Sequence, residues 1–438
     1  MAGYILNTDQ EKTVMLERIK RSSLDDLYAE LPAKLKLKKD LALPEGQSEF
    51  AIMAKLKALS LQNKVYTTVL RGAGVEQHHI PAVVKQLSNR EEFVSAYTPY
   101  QSELSQGVLQ SIFEYQTQMC ELTGMDVCNA SVYDGATAAA EAMQMVVERN
   151  RRVILIPENM HPHVLQTMHT YAQWANIQLV DLKTLDGRID LEDLKAKCDV
   201  NTAGVFIQHP NYFGLLEDVQ EISRITHSTQ AKLVQYTNPL TCAYLKSPRA
   251  LGADIAIGEA QSLGIPMSFG GPYLGFMAAS ADLVRRLPGR IAGQTVDLDG
   301  KRAFTLTLQA REQHIRREKA SSSICSNQAL MALVASMYCA SLGPQGLKEV
   351  SEAGLRKAHY LLQELEKIGF KRKYSGPFFN EFVVVSPIEH SILERICDEM
   401  DILAGLGLSS HESLWCVTET TSKATLDQLI ARLKEVIQ

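Results

Sequence analysis

Residues able to do chemistry fall into a few short segments. In Ala96-Tyr-Thr-Pro-Tyr-Gln-Ser102, two phenols, a threonine and a glutamine surround a proline that stiffens the turn and disfavours helix at Thr98. Tyr97 and Tyr100, three residues apart and flanked by Thr98 and Gln101, can stack on or hydrogen-bond an aromatic ligand; packing with satisfied hydroxyls explains the same pattern. Asp134-Gly-Ala-Thr137 precedes an alanine-rich run, Ala138 to Met145, that predicts a helix. The free N–H groups of Gly135, Ala136 and Thr137 make this turn a candidate seat for a phosphate or carboxylate, with helix capping by Asp134 or Thr137 as the alternative.

The stretch from Gly258 to Gly275 is rich in glycine and proline and lies between two strand-like runs, so it predicts either a loop built around a ligand or a long plain connection. His78-His79 and His161-Pro-His163 lack helical i, i+4 spacing and a nearby carboxylate set, which points to surface or hydrogen-bonded histidines and predicts no metal site. The cysteines at 120, 128, 198, 242, 325, 339, 397 and 416 include no C-x-x-C pair, so small buried hydrophobes in a reducing compartment are expected.

Positioning these residues requires a large body. Apolar β-branched runs at Arg152–Ile156, Ile177–Asp181, Gly204–Ile207, Lys232–Tyr236, Asp254–Ile257 and Tyr273–Met277 alternate mostly with helix-like segments, which predicts an α/β fold with a mostly parallel sheet covered on both faces. Residues 1–65, rich in Leu, Lys and Glu and broken at Leu43-Pro-Glu-Gly-Gln47, predict an N-terminal arm of short amphipathic helices. Residues 66–345 are then the large domain. From 346 to 438 a helix over Leu347 to Ile368, a strand at Asn380–Val385, a helix from His390, a strand at Ser413–Val417 and a final helix to Ile437 predict a small α+β domain.

A net charge of −5 with 22% charged residues gives no push toward nucleic acid or anionic membrane. The longest apolar run, Leu330 to Cys339, is too short to span a bilayer, and Met1 to Lys12 lacks a basic region followed by an apolar block. A cytoplasmic protein is expected.

Further segments carry a resemblance. Gly72-Ala-Gly-Val75 with His79-Ile-Pro81, Tyr97-Thr-Pro-Tyr-Gln101 followed by Glu103-Leu-Ser-Gln-Gly107, and Glu114-Tyr-Gln-Thr117 followed by Leu122-Thr-Gly-Met-Asp126 are similar to the glycine decarboxylase component of the glycine cleavage system, the P-protein, in its split bacterial form. Asn129-Ala-Ser131, Asp134 to Thr137, Gly258 to Gly275 and Arg311-Glu-Gln-His-Ile-Arg-Arg317 extend the resemblance over nearly the whole chain. It implies the aspartate-aminotransferase-like fold of pyridoxal-phosphate (PLP) enzymes, fold type I, in which the cofactor forms a Schiff base with a lysine ahead of a glycine-rich turn.

Here no lysine stands between Lys246 and Lys301. The resemblance puts the lysine position at or beside Gln261, whose neighbours Ala260 and Ser262 are not lysines either. The upstream aspartate that such enzymes hold against the pyridine nitrogen is also missing, because Val234-Gln-Tyr-Thr-Asn238 offers no acid and Asn238 cannot supply the charge. The resemblance therefore implies subunit 1 of a glycine dehydrogenase (decarboxylating), an oxidoreductase, inactive by itself. It further implies that a partner, subunit 2, holds the PLP in an α2β2 heterotetramer, that glycine loses carbon dioxide, and that the aminomethyl group passes to the lipoyl arm of H-protein. Tyr97, Thr98, Tyr100 and Gln101 are expected to line the partner's active site. The alternative is a catalytically silent scaffold or regulatory pseudo-enzyme of the same fold.

Overall fold

The computed structural model describes residues 6–39 and 41–437; residues 1–5 and Asp40 of the expected arm lie outside the described residues. Contacts divide the chain into two compact units after Val65. The first holds helices Asp9–Arg18 and Glu49–Ser60 and two short 3-10 turns. Thr8 with Glu11 and Ser23 with Asp26 form capping boxes that satisfy N-terminal N–H groups, and Ser48 caps the later helix. None of these helices buries a residue, so Phe50, Met53 and Leu56 stand exposed.

The second unit is built on a seven-stranded sheet: β1 Val127–Cys128, β2 Val153–Pro157, β3 Gln178–Leu182, β4 Thr202–Gln208, β5 Lys232–Tyr236, β6 Ile255–Glu259 and β7 Gly275–Ala279. Their spatial order is β1-β7-β6-β5-β4-β2-β3. Neighbours from β6 to β3 are parallel, whereas β7 runs antiparallel to both β6 and β1.

The near-continuous apolar runs follow from burial on both faces. Alternate residues go to opposite sides. Ile154, Ile156, Phe206, Val234, Ile255 and Ile257 join one core with helices α1 (Gly135–Val146) and α2 (Pro162–Ala175). Leu155, Val205, Ile207, Leu233 and Ala256 join the other, with Tyr115, Met119, Ile222 and Tyr338. Each large apolar side chain so enclosed stabilises the fold by roughly 1.5–3 kcal/mol.

Helix α3, Ala329–Lys367, continues through both expected domains and kinks at Gly343, which adopts φ 63° and ψ 178° ahead of Pro344. Ala332, Ala335 and Tyr338 before the kink belong to the sheet core, and Ala358, Leu361 and Leu365 beyond it to the C-terminal core. By length and composition this helix could cross a membrane, which the apolar run Leu330 to Cys339 alone did not suggest; its buried face, divided between two cores, makes it a core helix.

The C-terminal part is a four-stranded sheet centred on β8 (Glu381–Val385) and β9 (Glu412–Cys416), backed by helices His390–Glu399 and Lys423–Ile437 around Trp415 and Phe382. The boundary expected at residue 66 opens a strand of this part instead of the large sheet. Thr68 and Val69 pair in parallel with Ile402 and Leu403, and Leu70 enters the Trp415 core. The cysteines are all free; Cys325 is exposed, unlike the buried set expected, because it lies in the loop before α3.

From Leu70 the chain turns back to the sheet, and His78 fixes that passage. Its Nε2 lies 3.0 Å from Glu76 Oε2 and its Nδ1 2.8 Å from Glu419 Oε2, with all three side chains nearly enclosed. Burial works against a charged ring, but the hydrogen bonds and charges of Glu419 and Glu76 outweigh it and raise His78 to about 9. A histidine whose folded value exceeds its unfolded value stabilises fully below about pH 6.5 and loses that contribution as pH rises through the folded value. His78→Ala is expected to cost about 3–5 kcal/mol at pH 6, since it strands two carboxylates. The gap from the unsubstituted chain should narrow as pH passes 9 in urea titrations; a gap independent of pH from 6 to 10 would rule out the charged bridge.

Candidate functional site

Parallel strands deliver their C-terminal ends to one edge of the sheet, and the residues at those ends face a common crevice. Gln208, Tyr236 and Glu259 are the last residues of β4, β5 and β6, and all three line a cavity of about 50 Å³. Asn238 and Gln261 enter from the turns after β5 and β6, Glu76 from the segment His78 fixes, and Glu381 from the first position of β8. The backbones meet so closely that side chains are excluded at several points. A Cβ on Gly135 would collide with the Tyr236 hydroxyl, and one on Gly258 with the Thr237 carbonyl.

Gln261 is 3% exposed and spends its whole amide on the backbone: Oε1 accepts from Glu76 N at 3.0 Å, and Nε2 donates to Glu76 O at 3.0 Å and Ile265 O at 2.6 Å. It staples the 72–79 segment to the loop after β6. Glu259 accepts from three N–H groups, with Oε2 taking Gly135 N at 3.0 Å and Oε1 taking Gln261 N at 3.1 Å and Leu274 N at 2.8 Å. Burial nevertheless pushes its carboxyl up to about 7. Glu381 accepts from Ala73 N at 2.7 Å, and burial, with the Glu76 charge beside it, pushes it up to about 8.

This crevice does not fit pyridoxal phosphate. Gln261 cannot form a Schiff base and is fully engaged. Asn238, neutral, accepts from Leu240 N at 3.1 Å and from Ser262 Oγ at 2.5 Å, acting as the cap of the 3-10 turn Pro239–Ala243. The cavity is far below the roughly 300–1,000 Å³ typical of small-molecule sites and holds water at most. At the turn of Gly135, Ala136 and Thr137, expected as an anion seat, carboxylates of the chain itself take two of the N–H groups. Thr137 N bonds the Asp134 carboxylate at 2.7 Å and Gly135 N bonds Glu259 at 3.0 Å.

The tyrosine loop forms a second, separate site that shares no lining residue with the first. Tyr97 and Thr98 line a cavity of about 430 Å³ with Arg290 and Ser326, whereas Tyr100 and Gln101 do not line it. The Tyr97 hydroxyl is 2.9 Å from Ser326 Oγ, yet the residue is 88% exposed. Arg290 donates to the Tyr100 hydroxyl at 2.6 Å and stacks its guanidinium over the ring. Gln101 is exposed at the start of the 3-10 turn Ser102–Leu104. Of the histidines, His161 bonds the Ala73 carbonyl at 2.7 Å and accepts from His163 N, and His79 donates its N–H to Glu419. Glu76, Glu259, Glu381 and Glu419 were not singled out from the sequence. Only the place of Glu259, two residues before Gln261 in the glycine-rich stretch, marked any of them.

Comparison with known proteins agrees with this architecture. The family model described as glycine cleavage system P-protein matches residues 2–433. A relative from Carboxydothermus hydrogenoformans, called probable glycine dehydrogenase (decarboxylating) subunit 1, is 47% identical over 436 residues, 98% of each chain. One of the same description from Desulfitobacterium hafniense is 44% identical over 445 residues, covering 99% of this chain and all of its own. A crystal structure of glycine decarboxylase (P-protein) of the glycine cleavage system, in inhibitor-bound form, superposes with a TM-score of 0.90 at 40% identity, over 99% of this chain and 100% of that one. An aspartate aminotransferase from Thermus thermophilus shares the fold at TM-score 0.60 and 15% identity, over 84% of this chain and 99% of that one. With its PLP fold type I architecture and a match over almost its entire length, the chain belongs to the glycine cleavage system P-protein family.

Proposed function

We propose that this chain is subunit 1 of a two-chain glycine dehydrogenase (decarboxylating) that works in the cytoplasm as an α2β2 heterotetramer. PLP, the electron sink of the reaction, belongs to subunit 2, and this chain is inactive without it. Glycine loses its carboxylate as carbon dioxide while the aminomethyl group goes to one sulfur of the lipoyl disulfide of H-protein, which is thereby reduced. The observation that carries this reading is Gln261, enclosed at the position where the family would need a lysine and bonded through its whole amide.

What remains for this chain to contribute is surface. Tyr97 is exposed and aimed by Ser326, and Tyr100 is exposed and locked by Arg290. A loop so braced loses little freedom when it meets another subunit, which suits it to line that subunit's active site with Thr98 and Gln101. The exposed apolar side chains of the arm, such as Phe50 and Met53, suit a subunit contact too.

Purified alone, the chain should catalyse no glycine-dependent exchange of carbon dioxide and show no Schiff-base absorbance near about 410–430 nm with PLP. Mixing with subunit 2 should restore exchange. In the reconstituted enzyme, Tyr97→Phe and Tyr100→Phe should each lower turnover by on the order of tenfold, the value of one hydrogen bond, with assembly unchanged by light scattering. Unchanged turnover with normal assembly would favour the scaffold alternative.

A further inference from the structure

We propose that Glu259 is a built-in anion that fills, from within the chain, the seat a phosphate monoester would take at the N-terminus of α1, and so shuts this crevice to phosphorylated ligands. Three elements converge on its carboxylate: Gly135 N from the first turn of α1 at 3.0 Å, Gln261 N from the turn after β6 at 3.1 Å and Leu274 N from the approach to β7 at 2.8 Å. Converging backbone N–H groups at a helix N-terminus are an anion site by construction.

Several features mark the carboxylate as the designed occupant of this seat. No lysine or arginine lines the adjoining cavity among the described residues, so the N–H groups are its counter-charge. Gly135 leaves the approach open, since any Cβ would strike the Tyr236 hydroxyl and crowd the Glu259 backbone. Glu259 is also the last residue of β6, fixed in register opposite Gly275 of β7, so its side chain is delivered to the seat by the sheet itself. A free phosphate would have to displace a tethered carboxylate and then sit beside both Glu259 and Asp134, two negative charges with no cation to relieve them. The inference concerns this chain alone and does not depend on the proposed partner.

The test uses the full chain with inorganic phosphate as probe and chloride at equal ionic strength as control. Glu259→Ala empties the seat and leaves three N–H groups unpaired. Its melting temperature should fall below that of the unsubstituted chain, and phosphate should raise it by about 2–4 °C over chloride. The unsubstituted chain should show no such shift, and its Gly135 and Leu274 amide resonances should not move with phosphate. Glu259→Gln, which refills the space without charge, should respond far less than Glu259→Ala. If Glu259→Ala folds poorly in chloride, refolding yield in phosphate replaces the melting shift and should be several-fold higher. Equal behaviour of Glu259→Ala in phosphate and chloride, by melting or by yield, overturns the proposal, as does phosphate-dependent movement of the Gly135 amide in the unsubstituted chain.

Discussion

Glu76, Glu259 and Glu381 stand at the C-terminal edge of a parallel sheet around one small cavity, and no lysine or arginine among the described residues lines it with them. Three carboxylates in such a place would repel one another and lose their hydration. The surrounding structure answers each separately: backbone N–H groups for Glu259 and Glu381, and a charged imidazole shared with Glu419 for Glu76. Burial still raises Glu259 and Glu381 above the usual carboxylate range, so the N–H groups offset only part of the cost of enclosing their charge.

Those three answers explain why distant parts of the chain converge here. Glu381 begins β8 because Phe382, Val384 and Trp415 need the core behind them, and that register brings its carboxylate to Ala73. The 72–79 segment follows the Leu70 anchor and the pairing with Ile402–Leu403, then is stapled by Gln261 and tied to Glu419 through His78. The kink at Gly343 lets one helix serve both cores, so the sheet and the C-terminal part hold a fixed relation across the crevice.

In this crevice the Glu259 carboxylate and the Gln261 amide are engaged within the protein. The tyrosine loop presents the opposite case. Its tyrosines are braced at their hydroxyl ends by Ser326 and Arg290 while Tyr97 and Tyr100 both remain exposed to solvent. A fold that has one filled site and one open, braced loop is suited to working through a neighbour, as the proposed function requires.

The sequence alone determined the layer order, the mostly parallel sheet and the absence of a lysine from Lys246 to Lys301, because strand burial and covalent chemistry are written in residue type and spacing. It also pointed to the kinked helix only in pieces, as an apolar run before Gly343 and a helical pattern after Pro344. The direction of β7 and the start of the C-terminal part at Thr68 came from pairings that local pattern does not encode. The fate of the Gly135 turn was undecidable from its own residues. Capping and anion binding both fit Asp134-Gly-Ala-Thr137, and the choice depended on a glutamate 124 positions away that only the tertiary structure delivers. The same holds for Glu381 and His78, which meet Ala73 and Glu419 more than 300 positions away, contacts that only packing brings together.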